Sequence, residues 1–112
     1  MKRGEIWWAS LPEPVGSMPG YRRPVIIVQA DSFNVSRIDT VVVVPLTTNQ
    51  RLADAPGNFL LPPKQSGLSR DSVVNVSQII TIDKSLLTEA VGQLPSRALE
   101  RMENGLRLVL AL

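Results

Sequence analysis

The 112-residue chain contains no cysteine and no histidine. The first absence excludes a disulfide framework and zinc-finger ligand spacings, and it suits a reducing cytoplasm. The second removes the usual general acid/base and the usual metal ligand near neutral pH. Any catalysis here works without imidazole. With the carboxylates scattered along the chain, no metal site and no cofactor are expected. No apolar run approaches the ~20 residues of a membrane span. The opening "MKRGEIWW" reaches Glu5 almost at once, unlike a signal peptide. A cytoplasmic location without a membrane partner is therefore expected. Internal repeats and low-complexity segments are absent as well.

The remaining composition is that of an ordinary globular protein: 44% hydrophobic and 20% charged residues. One domain over residues 1–112 is expected, just large enough to bury a single core. The net charge of +2 is compatible with a nucleic-acid partner without requiring one.

Hydrophobic patterning predicts many strands followed by one helix. Residues 5–11 read as a short strand carrying Trp7 and Trp8, whose side chains alternate to opposite faces. One belongs in the core; the other is a dimer or partner surface, or is simply partly exposed. Residues 12–22 form a Pro/Gly-rich loop. Residues 23–30 and 40–46, the latter with "VVVV", are apolar on both faces, as central strands are. Residues 58–61 make a short strand and residues 72–82 a long one. Asp83 can cap a helical turn, and residues 87–94 are ambiguous. Ser96 after Pro95 can cap a helix whose apolar face is Leu99, Met102, Leu106, Val109 and Leu110. Gly105 weakens it slightly. This order predicts an α+β, mainly β fold: a small barrel-like antiparallel sheet with a C-terminal helix.

Only residues 31–39 join the two central strands, which is short for a parallel crossover and makes them antiparallel neighbours. The start of the first then lies beside the end of the second. Arg23 meets Thr47 and Thr48 on one rim, and Arg22 points to the opposite face. Pro24 stiffens the backbone that presents Arg23. A guanidinium offers phosphate a planar pair of donors and keeps its charge. With threonine hydroxyls it suits a phosphoryl group and the charge of its transition state. The same residues also fit a solvated strand end. Arg51, Lys64 and Arg70, in loops, could line an RNA groove or simply be solvated. Asn75 and Gln78, an odd number of residues apart, face opposite sides of a continuous strand unless a bulge intervenes.

Four segments in order, "KRGEIWW" with "LPEPVGS", "RRPVIIVQ", "VVVVPLTTN" and "SVVNVSQIITID", resemble the MazF/PemK family of toxin endoribonucleases from toxin–antitoxin modules. The resemblance spans nearly the whole chain. It implies a small SH3-like barrel of twisted antiparallel sheet with a C-terminal helix, usually a homodimer. It implies sequence-specific, metal-independent cleavage of single-stranded RNA, often mRNA, and a cognate antitoxin protein as partner. The family's essential arginine falls on Arg23 and its threonine on Thr47. RNA contacts are implied for Ser17 and Arg22 in the first loop, for Thr48, Asn49 and Arg51 in the second, and for Asn75, Ser77 and Gln78 further on. Met18, Ser77 and Ile80 depart from the glutamate, acidic residue and arginine that many or some members carry, and the general base is unassigned. Two other functions remain open: a non-catalytic RNA-binding barrel, and a protein-targeting toxin like the gyrase poisons, which are similar in fold.

Overall fold

Val25, Ile26 and Ile27 pair antiparallel with Pro45, Val44 and Val43, and this central pair organises the chain. The structure, a computed structural model, describes residues 1–17 and 20–112. Strand β2 (Arg22–Ile27) is buried over its second half and β3 (Thr40–Thr47) over most of its length, as two-sided apolar runs require. Strand β1 (Glu5–Ser10) pairs with the other edge of β2, and β7 (Leu87–Gln93) pairs with β1.

β3 divides its outer edge between two partners. Residues Thr40 to Val43 pair with β6 (Ile80–Asp83), and Leu46 and Thr47 pair with β5 (Ser72–Val74). β4 (Phe59–Leu61) extends the sheet from β5. Pro45 sits at this changeover, where a residue without an N–H costs no ladder bond on that side. Its carbonyl accepts the Asn75 N–H at 3.1 Å. The split bends the antiparallel sheet into a half-barrel.

Alternation along the strands separates two apolar clusters. Ile6, Ile26, Val44, Leu46 and Val74 lie on one face with Phe59 and Leu61. Ala9, Val25, Ile27, Val41 and Val43 lie on the other with Ile82. The long helix α3 (Ser96–Leu110) covers the first face with Ala98 and Met102. The remaining helices are single turns: α1 (Asp31–Asn34) and α2 (Pro63–Ser66). Among the described residues no helix is long and apolar enough to cross a membrane.

Three expectations need correction. The β-rich run 72–82 is two strands, because residues 75–79 turn away from the ladder. Ser96 begins the helix, but Pro95 occupies the cap position and no side chain caps it. The helix buries Ala98, Met102 and Gly105, flanked by Leu99 and Leu106. Val109 and Leu110 are exposed, at 41% and 53%, because the last turn runs past the core. Asp83 does cap a 3₁₀ turn (Lys84–Leu86), accepting the Ser85 N–H at 2.8 Å.

Candidate active-site cleft

Arg23 and Thr47 each lie two residues beyond the Val25–Pro45 pair, the last in the β2–β3 register, so the antiparallel strands carry them to the same end of the sheet. Both line a cleft of about 270 Å³ at the end of the sheet. Tyr21, with φ of +56°, turns the preceding loop into β2. Leu11 and Tyr21 are joined by a 2.8 Å backbone hydrogen bond, which ties that loop to the end of β1. Arg23 is therefore anchored between β1, where it pairs with Ala9, and β3.

The Arg23 Nε is buried and has no hydrogen-bond partner among the described residues. A buried donor left unmade costs about 1–3 kcal/mol. The Thr47 Oγ1 accepts the Asn49 N–H at 3.2 Å. That bond fixes the hydroxyl and leaves its proton free to donate. Thr48 lines the same cleft and is more exposed than Thr47.

The opposite wall comes from the segment between α2 and β5. Gly67, with φ of +79°, ends α2 in a left-handed turn. The following residues bring Leu68, Ser69, Arg70 and Ser72 to the cleft. Arg70 thus joins the site, while Lys64 does not line it. Ser69 and Ser72 were not singled out from sequence. The available signal was the glycine closing a proline-led turn immediately before "LSRDS".

Arg22 also reaches the cleft, contrary to its expected orientation away from the site. The cleft lies at the end of the sheet rather than on one face of it, so side chains from both faces can border it. Arg22 stacks over Trp8, its guanidinium carbon 4.1 Å from the ring centroid. Trp8 is the cleft-side tryptophan, and Trp7 packs against the second apolar cluster. The cleft thus gathers three guanidinium groups and four hydroxyls, with no carboxylate among its described lining residues. It is chemically suited to an anion.

The other sequence candidates lie outside this lining. Asn49 caps the 3₁₀ turn Gln50–Asp54 by accepting the Arg51 N–H at 3.2 Å, and Arg51 is exposed there. Asn75 is buried; its Oδ1 accepts from Asn58 and Ser77, and its Nδ2 donates to Gln78 at 3.0 Å. Gln78 in turn donates to the Ser17 carbonyl at 2.6 Å. Asn58 donates to the Leu52 carbonyl at 2.9 Å. A chain of amides therefore links the first loop to the 3₁₀ turn. Asn75 and Gln78 meet because residues 75–79 form a turn, not the continuous strand expected. Ile80 packs against the second apolar cluster, and Met18 lies outside the described residues.

Two carboxyl groups are held below the usual range, and neither lines the cleft. Asp31 is lowered chiefly by the Arg3 N–H and then by the Asn34 amide. Asp83 is lowered by hydrogen bonds from Ser85. Among the described residues no group of three or more acidic side chains could hold a metal ion.

Residues 2–110 match the family described as PemK-like, MazF-like toxin of type II toxin–antitoxin system. Over all 112 residues the chain is 46% identical to endoribonuclease MazF6 of Mycobacterium tuberculosis, covering 98% of that protein. It is 35% identical to endoribonuclease EndoA of Bacillus subtilis, covering 96% of it. The fold is shared with a mycobacterial endoribonuclease solved in complex with its cognate antitoxin, at a TM-score of 0.82 and 24% identity. That match covers all of this chain and 96% of the other.

Proposed function

Because this chain belongs to the family of PemK-like, MazF-like toxins of type II toxin–antitoxin systems and is an endoribonuclease, we propose that it cuts single-stranded RNA through attack by the RNA's own 2′-hydroxyl. This reading replaces the non-catalytic barrel and the gyrase poison. The observation that carries it is a cleft that Arg23 and Thr47 line together with further cations and hydroxyls, the Arg23 Nε being buried and without a partner among the described residues.

The 2′-oxygen attacks the adjacent phosphorus and loses its proton. The P–O5′ bond breaks, and the leaving oxygen takes up a proton. The upstream product ends in a 2′,3′-cyclic phosphate and the downstream product begins with a 5′-hydroxyl. Arg23 binds the phosphoryl oxygens and offsets the dianionic charge, and Thr47 donates a further hydrogen bond. Thr48 and Arg70 hold flanking phosphates. Ser17, Ser77 and Gln78 border the strand's path, while Asn49 and Asn75 keep the two loops in shape. The described lining supplies no carboxylate, and the chain no imidazole, for a divalent ion, so charge neutralisation falls to the guanidinium groups.

In the cell this chain would cut mRNA in the cytoplasm and stop translation and growth until its cognate antitoxin binds. A symmetric homodimer is the proposed assembly, and light scattering at micromolar concentration tests it.

The deciding experiment uses a substrate with one deoxynucleotide immediately 5′ to a mapped scissile phosphate, in chelator, beside its all-ribo parent. The parent is cut to a cyclic phosphate and a 5′-hydroxyl, and the deoxy strand stays intact. Equal cutting of both, or 5′-phosphate products, would make water the attacking group.

A further inference from the structure

Glu89, Trp8 and Pro24 stand in one row across β7, β1 and β2. Arg22, two residues before Pro24, lies diagonally from Trp8 on the same face, within reach of a long side chain. The guanidinium sits over the indole at 4.1 Å. Its Nη2 donates to the Glu89 Oε2 at 3.3 Å. The two side chains are 55% and 67% exposed. So open an ion pair contributes little to stability, and a carboxylate there opposes the approach of a phosphate. What the pair does is fix where the guanidinium lies.

Arg22 therefore differs from Arg23. Its charge is matched by Glu89, its body is held on an aromatic ring, and it borders the phosphate site. Unpaired RNA bases are recognised by stacking on aromatic rings and on arginine planes. We propose that Trp8 and Arg22 form a nucleobase-stacking subsite for a nucleotide next to the scissile phosphate, with Glu89 as the positioning residue that holds Arg22 in place. The proposal rests on the endoribonuclease reading above and identifies how that site takes hold of a base.

Stacking and phosphate binding make opposite demands on position 22. A lysine keeps the charge and loses the plane. The test measures affinity of the full-length protein for an uncleavable deoxy-substituted strand and for versions carrying an abasic nucleotide at successive positions. Wild-type protein should lose about tenfold at one position near the scissile phosphate. Arg22→Lys should lose about as much on the parent strand and nothing more at that abasic position. Glu89→Gln, which still accepts the hydrogen bond, should keep the position-specific loss, and Glu89→Ala should weaken it. Wild-type-like binding by Arg22→Lys, or equal sensitivity to abasic sites everywhere, overturns the subsite and leaves the ribonuclease reading standing. Failure of the wild-type protein to bind any strand overturns both.

Discussion

A Cβ built on Gly105 would lie 2.6 Å from the carbonyl oxygen of Gly57. The middle of α3 rests directly on the backbone that leads into β4. The reciprocal position is also closed, because Gly57 has φ of +83° and a Cβ there would meet the Gly105 Cα at 3.0 Å. In an exposed helix interior Gly→Ala stabilises by about 1 kcal/mol. Here the backbone oxygen cannot rotate aside, and overpacking of this kind costs about 1–3 kcal/mol. Gly105→Ala should lower the thermal midpoint rather than raise it. A raised midpoint would mean that the helix shifts without penalty.

Arg23 should separate function from stability. Arg23→Ala removes the charge proposed to neutralise the transition state, and it also removes a donor that is buried and without a partner among the described residues. Cleavage should fall by roughly 10³-fold, with a thermal midpoint equal to or above that of the wild type. Single-turnover rates and a melting curve on the same preparation test this. Near-wild-type cutting by a folded variant would remove Arg23 from the site.

Thr47 carries a narrower test. Its hydroxyl accepts the Asn49 N–H, and the role proposed for it belongs to the oxygen rather than to the methyl group. Thr47→Ser should retain most activity, whereas the near-isosteric Thr47→Val should lose about 100-fold. Thr48→Ala, on the more exposed neighbour, should lose less than Thr47→Ala. The reverse order would place the essential hydroxyl one residue later.

These residues were legible in the sequence because their meeting depends on little. Two apolar strands and a nine-residue connection are enough to bring Arg23 and Thr47 to one rim. The partner of each strand, the turn at residues 75–79 and the close approach of Gly57 to Gly105 depend on segments distant in sequence. Periodicity carries no information about them. It read Asn75 and Gln78 as opposite-facing because it treated residues 72–82 as unbroken. It extended the helix face to Val109 and Leu110 because it cannot see where the sheet beneath ends. Arg22 was set away from the site, and the choice between Trp7 and Trp8 was left open, for the same reason: the Trp8–Arg22 contact is lateral, between β1 and β2.

Acid stability should report on Asp31. Its carboxylate accepts the Arg3 N–H at 2.7 Å and the Asn34 amide at 3.1 Å, and these bonds lower its pKa below 3.8. A depressed folded value means the contribution is present above the unfolded pKa and is lost as pH falls through the folded one. Wild-type stability should therefore drop more steeply than that of Asp31→Asn as pH falls below about 4. Parallel denaturant titrations across that window test the sign. Identical slopes would show that the bonds are not maintained in solution.

The pH dependence of cleavage tests the chemistry of the cleft. General acid–base catalysis by side chains appears as limbs in the pH–rate profile, at the pKa values of the groups involved. The described lining residues are arginines, hydroxyl-bearing and apolar residues, and the chain has no histidine or cysteine. Arginine keeps its proton throughout. The described lining therefore offers no imidazole, thiol or carboxyl group to serve as a general acid or base. Single-turnover rates at saturating protein should rise with pH as the 2′-hydroxyl becomes easier to deprotonate, without a bell and without a plateau near neutrality. Glu89→Gln should leave the shape unchanged, since its carboxylate holds Arg22 rather than a proton in flight. A bell with limbs near pH 6 and pH 8 would require a titrating side chain in contact with the reacting atoms, and the arginine–hydroxyl mechanism would then be wrong.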